Sequence, residues 1–281
     1  MLITDLLGRP SKLLLCFHAV DDGWPDPGLC LPVARFESVV SQLDDAGYRG
    51  ETFSTVAVAR GGERLVAITF DDAFASVATA AAPILEARGW PGTVFVPTAT
   101  LDGDALHWID PEVQQRHPTA TRQLAPADVR ALAERGWEVG SHSHTHPLLS
   151  RLSDTELRDE LAVSREILRS LVGACDAISY PWGEVDDRVV EASRRAGYVV
   201  GSGLSGRFTW SDPLRVPRVA VSAMDDSLRF TLKASGLHWR LRSTGVWPAV
   251  EALRGMSGER DEQPASWRRR AVALLHLFNL H

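Results

Sequence analysis

Short apolar runs of four to seven residues alternate along this chain with segments of helical period, and most of the runs stop at a polar cluster. Runs at 13–17, 65–70, 93–97, 137–140, 177–180, 198–201 and 215–221 are too short for buried helices and read as strands. Continuous apolarity marks strands covered on both faces, so the alternation specifies a parallel α/β fold. Punctuation for the helices between them is readable. Pro32 suits a first turn before Phe36, Val39, Val40 and Leu43, and Pro126 opens a helix that closes at Gly136. Ser153 with Glu156 forms a capping box for a helix over 154–171 that ends at Gly173. Residues 98–123 show no period and are expected to be an insertion on the active-site side.

His18, the pair Asp71-Asp72, the cluster His142-Ser-His144-Thr-His146 and Pro181-Trp182-Gly183 each follow a predicted strand closely. In parallel α/β folds the loops after the strands converge on one mouth, where ligands bind. Four such clusters facing one mouth constitute a candidate site. His142 and His146 are four apart, so one helical turn would present both imidazoles to a single metal ion. No Glu follows His142, so the zinc-protease helix is not matched. Two histidines need a third ligand. Asp71-Asp72 can supply it, because adjacent side chains diverge and one can bind metal while its neighbour faces substrate. The structural alternative is Asp72 as N-cap of a helix over 73–88.

Composition narrows the function class. The chain has 281 residues, with 36 Asp and Glu against 30 Lys and Arg, a net charge of −6, which argues against nucleic acid. Cys16, Cys30 and Cys175 have no metal or disulfide spacing and read as buried thiols. No apolar stretch near the start suits a signal or a membrane span, so a cytoplasmic location is expected. Residues 229–281 hold nine Lys and Arg against four Asp and Glu, plus Trp239, Trp247 and Trp267. That basic tail is expected either to pack as a helical appendage or to rest on an anionic membrane surface at the inner face.

These motifs resemble the polysaccharide deacetylases of the NodB-homology type, carbohydrate esterase family 4. Thr69-Phe70-Asp71-Asp72 is similar to that family's T-F-D-D-G, with Ala73 for the glycine, and His142 to His146 match H-[ST]-x-x-H. Pro181-Trp182-Gly183 resembles P-Y-G. The resemblance covers residues 12–222 and implies a distorted (β/α) barrel of about seven parallel strands, with 223–281 as a helical extension. It implies hydrolysis of acetyl groups on a sugar or polysaccharide. By position it makes Asp72, His142 and His146 the ligands of one divalent ion, with Zn²⁺ expected first and Co²⁺ or Ni²⁺ as alternatives. It makes Asp71 the general base, and gives Pro181 and Trp182 the oxyanion and substrate contacts.

The opening Phe17-His18-Ala-Val resembles the permuted branch that includes the poly-N-acetylglucosamine deacetylases, which implies His18 as general acid. Leu237-His238 is the alternative. Where the family places an arginine beside its catalytic aspartate this chain has Ser179, and Arg215 or Arg218 is expected to substitute. Two other functions stay open: a metal-dependent hydrolase of a cyclic amide or ureide, and a silent glycan-binding relative.

Overall fold

A computed structural model of the chain describes residues 10–102, 106–204 and 208–235. Eight parallel strand segments build the core: β1 (Lys12–Phe17), β2 (Leu65–Phe70), β3 (Thr93–Val96), β4 (Glu138–Ser141), β5 (Ala177–Ser179), β6 (Val200–Gly203), β7 (Val216–Pro217) and β8 (Val219–Ala220). Their order is β7-β6-β5-β4-β3-β2-β1-β8. The two ends of that order are neighbours in sequence, separated only by Arg218. Val216 and Pro217 pair with Ser202 and Gly203, while Val219 and Ala220 pair with Leu15 and Cys16. One bent segment therefore spans both edges and nearly closes a seven-stranded barrel. This is the distorted (β/α) barrel expected, except that the run over 215–221 is two segments divided at Arg218.

Alternation along the strands sorts side chains into two cores. Leu14, Ala67, Phe95, Ala177, Val200 and Val216 fill the interior with Phe53, and the intervening residues Leu13, Leu15, Val66, Ile68, Val94 and Ile178 pack outward against helices. Phe53 opens a short helix, Phe53–Val58, and meets Phe95 edge to face at 5.3 Å. Glu138 ties that helix down, accepting from the Ser54 N–H at 3.0 Å and from Thr93 Oγ1 at 3.1 Å. The lower end is closed, and the same alternation carried upward delivers polar residues to the open end.

The outer helices start and stop where the sequence signals. Val33–Asp45 buries Phe36, Val39, Val40 and Leu43. Pro126–Glu134 opens on its proline. Asp154–Val172 carries the Ser153–Glu156 capping box and ends on left-handed Gly173. Three expectations shift. The strand expected at 198–201 lies at Val200–Gly203, because Gly197 stops the preceding helix and Tyr198 instead bonds Leu161 and Ser164 through its hydroxyl. The helix expected over 73–88 begins only at Val77, as a π turn running into Ala82–Glu86. The insertion 98–123 holds a 3₁₀ turn, Thr98–Asp102, and a helix, Pro111–Arg116, capped by Asp110. Its Leu106, Trp108, Ile109 and Ala120 join Ala19, Trp24, Cys30 and Phe74 in a small third core over the mouth.

Of the expected extension 223–281, the described part contains the helix Ser227–Ala234, with Phe230 buried on the barrel. Leu237-His238, the tryptophans of the tail and its basic stretch lie outside the described residues, as does any membrane contact through them. Among the described residues no helix is long and apolar enough to cross a membrane.

Candidate active site

The upper layer of the barrel interior is polar because four of the strands carry polar inward residues above their apolar ones. Cys16 follows Leu14, Thr69 and Asp71 follow Ala67, Ser179 follows Ala177, and Arg218 follows Val216. Asp71 sits at the centre. Arg218 grips it with both arms, Nη1 to Oδ1 at 2.7 Å and Nη2 to Oδ2 at 2.6 Å. Ser179 Oγ donates to Oδ2 at 3.1 Å and accepts from Arg218 Nη2 at 2.7 Å, and Cys16 Sγ donates to Oδ2 at 3.5 Å. Arg218 Nη1 also reaches Thr69 Oγ1 at 3.0 Å.

Arg218 is 1 % exposed, and a charge so deep is tolerated only when paired. Burial by itself would raise the Asp71 carboxyl, but the Arg218 guanidinium and nearby imidazoles hold it well below the ordinary range. Asp71 is therefore a carboxylate at neutral pH. The arginine missing at position 179 is restored from a different strand, with the serine filling the shorter distance. Arg215 does not share this role: it pairs with Asp187 and, at 3.8 Å, with Asp212. It is three residues from Arg218, the wrong parity to face the same interior.

Asp72 points the other way, towards His142 and His146. Its Oδ1 lies 3.5 Å from His142 Nε2 and 3.3 Å from His146 Nε2. His142 Nδ1 donates to the Ser179 carbonyl at 2.7 Å, which leaves Nε2 as a lone pair facing Asp72. Burial drives the His142 imidazole down to about 4, so it is neutral. Asp72 Oδ1 is buried yet has no hydrogen-bond partner. A buried carboxylate oxygen with two imidazole nitrogens within 3.5 Å is a donor set that a cation among them would satisfy. Bond lengths of roughly 2.0–2.1 Å to zinc set ligand-to-ligand edges of about 3.3 Å in a tetrahedron, close to the two distances from Asp72 Oδ1. The three residues fit a divalent metal ion.

The histidines converge by a loop rather than by the helical turn expected from their spacing. Ser143 has φ +62° and His146 φ +61°, and the His146 N–H donates to Ser143 Oγ at 3.1 Å. Asp72 (+67°), Ala73 (+51°) and Trp182 (+63°) are also left-handed, completing the non-glycine residues of that kind among those described. All five belong to the three motif loops. At roughly 1 kcal/mol or more apiece, the strain is concentrated where side chains must be aimed. Asp72 does not cap a helix, since its backbone turns away before Val77.

His18 lies beside Asp71, its ring nitrogen within a group with Cys16 Sγ and the Asp71 carboxylate whose atoms are all within 4.8 Å of one another. It is partly exposed at the mouth, open to a substrate. Pro181 starts the 3₁₀ turn Pro181–Gly183, and Trp182 stands 36 % exposed with its ring 4.9 Å from His146. Trp108 stacks on His146 at 4.1 Å and 22°. Reading the sequence for chemistry overlooked Trp108, Cys16 and Thr69. The parity of β1 and β2 could have found the last two; Trp108 lies in the insertion without a period and gave no signal.

A family model described as polysaccharide deacetylase matches residues 59–201. YxkH of Bacillus subtilis, a polysaccharide deacetylase by assignment only, is 25% identical over 200 residues, 69% of this chain and 64% of that protein. The poly-beta-1,6-N-acetyl-D-glucosamine N-deacetylase of Staphylococcus aureus is 23% identical over 189 residues, 63% of this chain and 60% of its own length. The chain thus spans less than two thirds of these curated relatives. Among solved structures, Streptococcus pyogenes deacetylase PplD in complex with acetate superposes with a TM-score of 0.67 at 18% identity, over 81% of this chain and 99% of that one. IcaB from Ammonifex degensii superposes with a TM-score of 0.63 at 18% identity, over 81% and 98%. These superpositions establish a shared fold.

Proposed function

The chain belongs to the polysaccharide deacetylase family, and from that premise we propose that it is a divalent-metal-dependent hydrolase releasing acetate from an N-acetylated glycan. The observation that carries the reading is the buried, unpartnered Asp72 Oδ1 facing two imidazole nitrogens at 3.3 and 3.5 Å. Asp72, His142 and His146 would hold the ion, leaving positions open for water and the acetyl oxygen. When bound, such an ion supplies Lewis acidity and lowers the pKa of its water towards about 7.

The protein's own groups then have distinct tasks. Asp71, kept ionised by Arg218, takes a proton from water as the water oxygen attacks the acetyl carbonyl carbon. His18, beside Asp71 and partly exposed, gives a proton to the amine as the carbon–nitrogen bond breaks. The products are acetate and a free amino sugar. Pro181 presets the turn that positions Trp182, whose main-chain N–H would steady the oxyanion and whose ring would wall a sugar. Zn²⁺ is the first candidate, because two imidazoles and one carboxylate make a common zinc ligand set; Co²⁺ and Ni²⁺ suit the same donors.

The named substrate of the S. aureus relative makes an N-acetylglucosamine polymer the first class to try. The test is acetate release from a panel of N- and O-acetylated oligosaccharides, with a cyclic ureide alongside. Release from N-acetylglucosamine oligomers that Asp71→Asn abolishes is the expected result. Turnover of the ureide alone would transfer the chain to the amidohydrolase reading, and binding without turnover would make it a silent relative.

A further inference from the structure

The loop that carries the two histidines is held from outside the site by one carboxylate. Glu160, on the helix Asp154–Val172, takes three hydrogen bonds from the loop. Its Oε2 accepts from the His144 N–H at 2.8 Å and the Thr145 N–H at 2.9 Å, and its Oε1 accepts from Thr145 Oγ1 at 2.5 Å. The donor residues, His144 and Thr145, are two of the three between His142 and His146. Two left-handed residues, Ser143 and His146, make the loop costly. Without an external anchor it would relax to cheaper backbone angles and separate the imidazoles.

The helix itself is a rigid support. It buries Leu157, Leu161, Ser164 and Leu168 against the barrel, so Glu160 is partly exposed but its backbone is fixed. Four residues on, Ser164 Oγ bonds Ser141 Oγ at 2.7 Å, immediately before His142. The helix grips the loop at its root and at its tip. Thr98 adds a lighter strap, its Oγ1 2.9 Å from His144 Nδ1. We infer that Glu160 is the positioning residue of the metal-ligand loop, setting metal affinity through the geometry of its three hydrogen bonds rather than through its charge. The inference rests on His142 and His146 being metal ligands.

Charge and geometry separate in two variants. Glu160→Gln loses the charge but can still accept both N–H bonds and donate its amide to Thr145 Oγ1. Glu160→Asp keeps the charge but is one methylene short. Co²⁺ binding to the full chain, read from its visible ligand-field spectrum, should weaken on the order of 10- to 100-fold in Glu160→Asp. Glu160→Gln should stay close to the unsubstituted chain in both affinity and band shape. Far-ultraviolet circular dichroism should match for all three. Equal affinity in Glu160→Asp and the unsubstituted chain overturns the inference, as does Glu160→Gln falling as far as Glu160→Asp. His142→Ala separates this failure from that of the metal reading: no Co²⁺ uptake by the unsubstituted chain, or uptake unchanged in His142→Ala, removes the site itself.

Discussion

Arg218 and Asp71 are each nearly useless alone in this interior and stable together. Breaking a buried pair from one side leaves an uncompensated charge and costs about 3–5 kcal/mol. Arg218→Met should therefore lower the unfolding free energy by that amount in urea titration, and the double variant Arg218→Met/Asp71→Asn should lose less than the two single losses combined. The pair also makes a pH prediction. The folded Asp71 carboxyl lies below its unfolded value of about 3.9. Its stabilisation is complete above that value and is lost as pH falls towards the folded one. Urea midpoints should drop on acidification below about pH 4, less steeply in the double variant. Both carboxylates were legible as site residues because two adjacent aspartates end a strand that is apolar except for Thr69. Their division of labour came from family resemblance, and the choice of Arg218 over Arg215 needed the barrel.

Element boundaries were readable where a cap or a proline announces them and not where a loop overrides the pattern. The helices at Val33–Asp45, Pro126–Glu134 and Asp154–Val172 follow their punctuation closely. The segment after Asp72 does not, because aiming Asp72 requires left-handed backbone at 72 and 73, which no helix accommodates. The same reason explains why an i,i+4 histidine spacing belongs to a loop. Helix Asp154–Val172 now has two tasks, packing and anchoring, so its N-terminus matters. Ser153→Ala removes the capping oxygen that accepts from the Glu156 N–H and should cost about 1 kcal/mol of stability in thermal or urea unfolding. Co²⁺ affinity in the folded variant should be unchanged, since Glu160 lies well beyond the first turn.

At the scale of the molecule, the barrel divides into a dry lower half and a charged upper layer, and burial governs the reactivity of its thiols. Burial pushes Cys30 and Cys175 up to about 12, and Cys16 is raised as well. None should react appreciably with a thiol reagent at pH 8 in the folded chain, and all three should react once urea unfolds it; rapid native labelling of any would contradict the fold around it. The parallel α/β arrangement was legible from seven apolar runs and the barrel from the family resemblance, yet its closure was not, because the last run serves both edges and bends at a charged residue. The small core over the mouth was hidden for a related reason: it is assembled from short separate segments that have no period to read. Together these features set the Asp71 carboxylate, the His18 imidazole and the Asp72, His142 and His146 group at one opening, the groups proposed above as base, acid and cation site. The account is tested most directly by stripping the chain with chelator and titrating Zn²⁺ back while following acetate release from an N-acetylglucosamine oligomer. It predicts no release at the start, a linear rise, and a plateau at about one ion per chain. Full release by the stripped chain, or none at any Zn²⁺, Co²⁺ or Ni²⁺ level across the acetylated panel, would contradict it.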